Sequence, residues 1–153
     1  IAVFDQGIIQ QVSQADTLYE APCNRFVAGF VGDSNQFPGT VQSTNGGTCQ
    51  VEIAGGQVLQ GINVQGLAIG SPCVAAIRPE RITPCADDSA INQFQASTVD
   101  EVYLGDHVRL RCQISPSEAF FVKMPLAADP GVRARGRQVR LQVAREHVRI
   151  FRP

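Results

Sequence analysis

The chain has 153 residues, of which 44% are hydrophobic and 18% are charged, and its formal net charge is −1. This length and composition are those of a soluble globular protein with one domain of ordinary size and room for the edge of another. No run of about 18 apolar residues occurs, so the sequence does not predict a membrane-spanning helix.

Charge is unevenly distributed along the chain. Residues 1–108 carry three arginines against eleven acidic residues, whereas residues 109–153 carry ten basic residues against three acidic ones. An anionic partner would explain such a split. Acidic and basic strands lying side by side on one barrel would also produce it, and we favour this second interpretation.

The cysteine pattern predicts neither a metal site nor a disulfide framework. The chain has five cysteines, and none forms a Cys-x-x-Cys pair of the kind that zinc sites use. An odd, scattered set is typical of reduced thiols. The cysteines are Cys23, Cys49, Cys73, Cys85 and Cys112.

The N-terminal stretch predicts a β-hairpin. Strands over Ile1–Phe4 and Ile8–Val12 flank a short turn in which Gly7 supplies a positive φ. The sequence begins inside the first strand without an initiator Met, so we expect it to be a piece of a longer protein.

Two short helices are predicted next. Ser13 is expected to cap the first, which Pro22 ends, and Asn24 is expected to cap the second, which Gly32 ends. The second helix has an apolar face that needs cover, formed by Phe26, Val27, Phe30 and Val31.

Residues 33–39 have a linker-like composition, and we place a domain boundary between residues 35 and 36. The segment beyond the boundary predicts β-structure and no convincing helix. Thr40–Gln42 and Cys49–Ile53 flank an Asn-Gly-Gly turn, and the apolar run Cys73–Ile77 fits a strand buried on both faces. Further strands are predicted at Thr98–Tyr103, Val108–Ile114, Phe120–Met124, Gln138–Val143 and Val148–Phe151.

Strict alternation in two of these strands predicts which side chains are buried. Val108, Leu110, Val139 and Leu141 should face a core, and Arg109, Arg111 and Arg140 should face solvent or a partner. Seven or eight such strands, joined by turns, predict a small closed or nearly closed β-barrel, because closure hides the strand edges.

The sequence predicts no catalytic site. The phosphate-binding pattern Gly-x-x-x-x-Gly-Lys-Ser/Thr is absent, and the only lysine, Lys123, lies within a predicted strand. His107 and His147 have no partners suited to catalysis in the sequence, and Asp87-Asp88 fits a solvated loop. We therefore expect no enzymatic activity and no bound cofactor or metal in this chain.

Four motifs, in order along the chain, resemble the ATP-binding subunits of ABC importers. The hairpin, with Tyr19-Glu-Ala-Pro22 and Phe26-Val-Ala-Gly-Phe30, resembles the end of their nucleotide-binding domain. Three further motifs resemble the OB-like TOBE domain that follows it, although Ala144-Arg145 replaces a usual proline. They are Ile77-Arg-Pro-Glu-Arg-Ile82, Val102-Tyr-Leu-Gly-Asp-His-Val108 and Val143–Phe151.

This resemblance implies a mainly β fold: a TOBE barrel over residues 36–153, preceded by the end of the nucleotide-binding domain over residues 1–35. It implies a regulatory and dimerisation role in a subunit that couples ATP hydrolysis, with Mg²⁺, to solute uptake at the inner face of the cell membrane. Implied partners are a second copy of the chain, permease subunits and a solute-binding protein. The Tyr-Leu-Gly-Asp match leans toward polyamine importers.

Two loops are the candidate contacts to a partner subunit. Arg78, Glu80 and Arg81 form the first, and Leu104, Gly105, Asp106 and His107 form the second. Arg78 and Glu80 would alternatively form a local ion pair at a turn set by Pro79, and Gly105 would alternatively serve only a tight turn.

Two other functions stay open. A free-standing OB-fold could bind nucleic acid through the arginine-rich second half, but the sequence offers no aromatic beside Arg109 and Arg111 on which bases would stack. We therefore expect no nucleic acid. A barrel that senses a solute in its own pocket is compatible with the main interpretation.

Overall fold

The computed structural model describes residues 1–85, 91–115, 118–128 and 133–153, with the side chains of residues 115 and 118 excluded. The predicted loop at Asp87-Asp88 lies outside the described residues. The described part is mainly β, as the sequence predicts, with two short α-helices near its N-terminus. No described helix has the length and apolar character needed to cross a membrane.

The N-terminal hairpin is confirmed. Strand β1 (Ala2–Asp5) pairs antiparallel with β2 (Ile8–Val12). Gly7 at the turn has φ 80°, a left-handed conformation that glycine adopts without the steric penalty other residues meet.

Two short helices follow, α1 (Ala15–Glu20) and α2 (Arg25–Phe30). The predicted Asn24 cap is confirmed, because its side-chain oxygen accepts a hydrogen bond of 2.9 Å from the Val27 N–H. The Ser13 cap is wrong: Gln14 precedes α1, and its side chain makes no capping bond. The Ser13 backbone pairs with Ile1, and its hydroxyl accepts from Gln11, so Ser13 belongs to the hairpin.

Five strands close into a barrel: β3 (Asn35–Asn45), β4 (Thr48–Ile53), β5 (Gln57–Asn63), β6 (Pro72–Ile77) and β12 (Arg149–Phe151). Their order around the barrel is β12-β5-β4-β3-β6. The linker predicted at residues 33–39 is wrong from Asn35 onward, because Asn35–Thr40 pairs with the apolar strand that ends at Ile77.

Five further strands form a second sheet, so the fold is a barrel joined to a sheet rather than one barrel. They are β7 (Thr83–Pro84), β8 (Asn92–Tyr103), β9 (His107–Ser115), β10 (Glu118–Pro125) and β11 (Gln138–Val143), in the order β10-β9-β8-β11-β7. Strands β8 to β11 contain all the residues predicted for them, and β8, β9 and β10 extend further. Strands β5 and β7 were not predicted.

One hydrophobic core lies between the barrel and the sheet. Phe37 of the barrel packs edge-on against Phe94 and Phe120 of the sheet, with ring centroids 6.4 and 5.3 Å apart. The predicted alternation is confirmed: Val108, Leu110, Val139 and Leu141 are buried, while Arg111 and Arg140 are exposed and Arg109 is half-buried.

Side-chain amides join the barrel to the second sheet by imitating a strand ladder. The Asn92 amide donates 2.7 Å to the Gln60 carbonyl and accepts 2.7 Å from the Gln60 N–H. Gln57 makes the same two bonds to Gln95, and Asn35 makes them to Phe121. These bonds satisfy backbone N–H and C=O groups that have no partner on a neighbouring strand. They therefore hold the second sheet against the barrel.

We expect Asn92→Ala to lower the free energy of unfolding by about 2 kcal/mol, because it leaves the part-buried N–H and C=O groups of Gln60 without partners. Gln57→Ala is the matched control, and its effect should be smaller because the Gln57 bonds to Gln95 are exposed. Urea unfolding of both variants provides the measurement. Equal losses in the two would show that burial does not set the strength of these bridges.

All five cysteines lie in the described residues, and none of them is joined in a disulfide. Burial raises the pKa of Cys49 and of Cys112 to about 11, so neither carries the negative charge that makes a thiol reactive at neutral pH. Their role in the described structure is to fill the core.

Candidate functional site: an anchoring loop and a hairpin tip

The first candidate loop anchors the N-terminal helices to the barrel. It directly follows β6 and contains a single 3₁₀ turn, Pro79–Arg81. Arg78 is only 8% exposed, and its guanidinium donates to the carbonyl oxygens of Ala28, Gly32 and Asp33 at 2.8, 2.9 and 3.0 Å. A cation at these carbonyls satisfies acceptors that the end of α2 leaves unpaired.

Tyr19 of α1 completes this anchor. The Arg78 guanidinium lies 4.2 Å from the centre of the Tyr19 ring and donates 3.3 Å to the Tyr19 carbonyl oxygen. The Tyr19 hydroxyl donates to the Glu80 carboxylate. Burial, followed by this hydrogen bond, raises the pKa of Tyr19 to about 12, so the hydroxyl stays protonated and remains a donor at neutral pH.

Arg81 adds a more exposed contact to the same helix. Its guanidinium pairs with the Glu20 carboxylate, and the two side chains are 34% and 47% exposed. The local Arg78–Glu80 pair considered from the sequence is therefore wrong: Glu80 binds Tyr19, and Arg78 binds backbone carbonyls. The Arg-Pro-Glu-Arg segment connects the helices to the barrel through all three polar side chains.

The second candidate loop is the tip of the hairpin between β8 and β9. Gly105 there has φ 91°, so the tight-turn role is confirmed. His107 Nδ1 lies 2.6 Å from Asp106 Oδ1, and this hydrogen bond is the main cause that lowers the pKa of the Asp106 carboxyl. Leu104 is 48% exposed and Tyr103 is 67% exposed. The tip thus presents apolar and polar groups to solvent.

The apolar face predicted on α2 is only partly covered within the chain. Val27 is fully buried with Val3 and Leu18, whereas Phe26 and Phe30 are 38% and 65% exposed. The two phenylalanine rings stack on each other, with centroids 5.7 Å apart. One side of the helix is therefore held by the hairpin and α1, and the other remains a surface.

The described residues do not fit the ATP and Mg²⁺ that the resemblance implies for a parent subunit. Lys123 lies in strand β10, as predicted, and not in a glycine-rich phosphate loop. Within residues 1–85, 91–115, 118–128 and 133–153, no group of three or more His, Cys, Asp or Glu side chains could hold a metal ion.

Acidic and basic residues lie side by side on the second sheet, which accounts for part of the charge split. Asp100 of β8 is the cross-strand partner of Arg111 on β9. Glu101 accepts 2.8 Å from Arg133, and this hydrogen bond is the main cause that lowers the pKa of the Glu101 carboxyl. The Asp100–Arg111 pair follows from strand register, and neither pair requires an anionic partner.

The expectation that no aromatic lies beside Arg109 and Arg111 is wrong. Phe121 is the cross-strand partner of Arg111, and the Arg109 guanidinium lies 3.9 Å from the centre of its ring. An aromatic therefore stands on the arginine-bearing face. Because Arg109 covers this ring and also lies 3.6 Å from Asp33, the ring is not an open stacking platform.

The closed five-stranded barrel and its companion sheet define an OB-like β protein. A solved structure of the cytoplasmic molybdate-binding protein ModG, with molybdate bound, shares this fold: its TM-score is 0.69, with 78% of this chain and 96% of that chain covered. Its sequence identity is 16%, so the likeness concerns the fold alone. The family model of the TOBE domain matches residues 75–151. The chain belongs to the TOBE domain family.

Sequence relatives confirm the resemblance to ATP-binding subunits of ABC importers. The spermidine/putrescine import ATP-binding protein PotA of Rubrobacter xylanophilus is 39% identical over 69% of this chain and 28% of that protein. The protein of the same name from Roseobacter denitrificans is 37% identical over 71% of this chain and 30% of its own. The one from Ruegeria pomeroyi is 29% identical over 99% and 41%. The chain spans less than half the length of these relatives.

Sequence reasoning identified the anchoring loop but not its partners. Tyr19 and Glu20 belong to the Tyr19-Glu-Ala-Pro22 motif, and the structure brings them to Glu80 and Arg81. The bridging amides of Asn35 and Asn92 gave no signal, because a lone asparagine in a strand-forming segment is usually read as a turn residue.

Proposed function

We propose that this chain is the regulatory and dimerisation part of the ATP-binding subunit of an ABC importer. In this proposal residues 1–35 belong to the end of the nucleotide-binding domain, and residues 36–153 form the TOBE barrel. The Arg78 anchor is the link by which the two parts move together.

One observation carries the proposal: the family likeness extends beyond the barrel. The relative from Ruegeria pomeroyi aligns with 99% of the chain, which includes the N-terminal hairpin and the two helices that Arg78 binds. In an ATP-binding subunit, the barrel would respond to nucleotide hydrolysis only if a segment such as residues 1–35 connected it to the nucleotide-binding domain.

The proposal assigns the chemistry to other parts of the transporter. ATP and Mg²⁺ would be held by the nucleotide-binding domain, and the permease subunits and a solute-binding protein would provide the path and the specificity at the inner face of the cell membrane. Because the relatives are named for spermidine and putrescine import, we propose a polyamine as the transported solute. This chain would contribute regulation and no catalytic residue.

The proposed regulation uses a two-fold pair of barrels. We propose that Glu80 and Arg81 on the anchoring loop, with Leu104, Gly105, Asp106 and His107 at the hairpin tip, face the second copy, while Arg78 holds the first loop in position. Leu104 supplies apolar area, and the charged groups supply complementarity across a two-fold axis.

Sedimentation equilibrium at several concentrations tests this pairing. We expect a reversible monomer–dimer equilibrium that Leu104→Asp shifts toward monomer, because a charge is then buried at the contact. Phe30→Asp is the control for exposed apolar residues in general and should leave the equilibrium unchanged. A sample that keeps the monomer mass up to high micromolar concentration would contradict the pairing.

A further inference from the structure

The segment between helix α2 and strand β3, residues 32–34, is bound from two sides. On one side, the Arg78 guanidinium donates to the carbonyl oxygens of Gly32 and Asp33 at 2.9 and 3.0 Å. On the other side, the Asp33 carboxylate lies 3.6 Å from Nη1 of Arg109, which belongs to strand β9 of the second sheet. The covalent connection from the helices to the barrel is therefore bound both by the loop after β6 and by the second sheet.

The surroundings of Arg109 favour its contact with Asp33. The Arg109 guanidinium lies 3.9 Å from the centre of the Phe121 ring, and the Arg109 side chain is 35% exposed. Lys123 is the cross-strand partner of Arg109 on β10, and like charges in such positions repel each other. Within the described residues, the Asp33 carboxylate is the only acidic group that pairs with Arg109, so it offsets this repulsion.

A second bridge joins the same two regions. The Asn35 side chain accepts 2.8 Å from the Phe121 N–H and donates 2.7 Å to the Phe121 carbonyl, and Asn35 is only 6% exposed. The Asp33 side chain, in contrast, is 70% exposed. Ions in solution therefore screen the Asp33–Arg109 pair, whereas the Asn35 bridge is shielded from them.

We propose that Asp33 and Arg109 form a salt-sensitive latch, which ties residues 32–34 to the second sheet at low ionic strength and releases them at high ionic strength. An exposed ion pair contributes little free energy, so the latch changes how often the segment opens and does not hold it alone. Arg109 lies two residues from His107, so the latch also connects the hairpin tip to the helices. This inference stands independently of the proposed transporter role.

Residue-resolved amide hydrogen exchange of the 153-residue protein tests the latch. One reporter is the Val31 N–H, which is hydrogen-bonded at the end of α2. The other is the Phe121 N–H, which binds the Asn35 side chain. We expect both to exchange about threefold faster in about 1 M sodium chloride than in about 0.05 M, because screening weakens the ion pair. Asp33→Asn should show the faster exchange at both salt concentrations.

Two further variants isolate the cause. Glu101→Gln is the matched control, because it removes a different ion pair, that of Glu101 with Arg133, and should leave both amides and their salt response unchanged. Arg109→Gln should abolish the effect of Asp33→Asn, since both substitutions break the same pair. Three results would each overturn the proposal: a wild-type salt response in Asp33→Asn, a response at only one of the two amides, or additive effects of Asp33→Asn and Arg109→Gln.

Discussion

Arg78→Ala is expected to lower the free energy of unfolding by about 3 kcal/mol and to release the helices from the barrel. The substitution removes donors to four carbonyl oxygens and the cation that lies against the Tyr19 ring. Amide hydrogen exchange should rise throughout α1 and α2 while β9 and β11 stay protected.

Two matched variants isolate the cause. Arg81→Ala removes a neighbouring arginine whose ion pair with Glu20 is exposed, and it should cost less than about 1 kcal/mol. Arg78→Lys keeps the charge but loses the planar fork that reaches several carbonyls at once, so it should restore little of the stability. Full protection of the helices in Arg78→Ala would show that the apolar contacts of Val27 suffice to hold them.

Gly61→Ala is expected to destabilise the barrel by about 3 kcal/mol, at the upper end of what overpacking a core costs. A Cβ at this position of β5 would stand 2.7 Å from the Val148 carbonyl oxygen and 2.8 Å from Val148 Cγ1. The Val148 carbonyl also accepts from the Ile62 N–H, so it cannot retreat without breaking a ladder bond.

Gly29→Ala is the control for replacing a glycine. Gly29 lies within α2, where the new methyl group meets only the side-chain amide of Gln36, at 3.5 Å. Since alanine is the better helix former, this variant should gain about 0.5–1 kcal/mol. Urea denaturation of both variants provides the comparison. A small effect at Gly61 would mean that β5 and the segment at Val148 separate easily.

Gly61 also explains why part of the fold escaped prediction. Strand β5 carries this glycine together with Gln57, Gln60 and Asn63, so neither apolar alternation nor β-branched enrichment marks it. Its place in the barrel follows from neighbours distant in sequence. By contrast, β9 and β11 alternate strictly, and the side chains that face the core were correctly predicted from their period of two.

The candidate site was likewise predicted only in part from the sequence. The Arg-Pro-Glu-Arg motif and the Leu-Gly turn are local signals, and both were located from the sequence. The partners of Arg78 are backbone carbonyl oxygens of residues 19, 28, 32 and 33. Because every residue has a backbone carbonyl, the sequence does not mark which ones Arg78 binds. The linker predicted at residues 33–39 failed for a similar reason, because its residues from Asn35 onward pair with β6, which is far away in the chain.

The most direct test of the transporter role is an uptake assay with a chimera. The region of the Rubrobacter xylanophilus protein that matches this chain would be replaced by the corresponding residues of this chain, in a host that lacks its own polyamine import ATPase subunit. A subunit truncated before that region serves as one control, and the chimera with Arg78→Ala serves as the other. We expect the chimera to support ATP-dependent spermidine uptake, and both controls to lose most of it. An expressed chimera that assembles with the permease yet imports no more spermidine than the truncated subunit would contradict the proposed role.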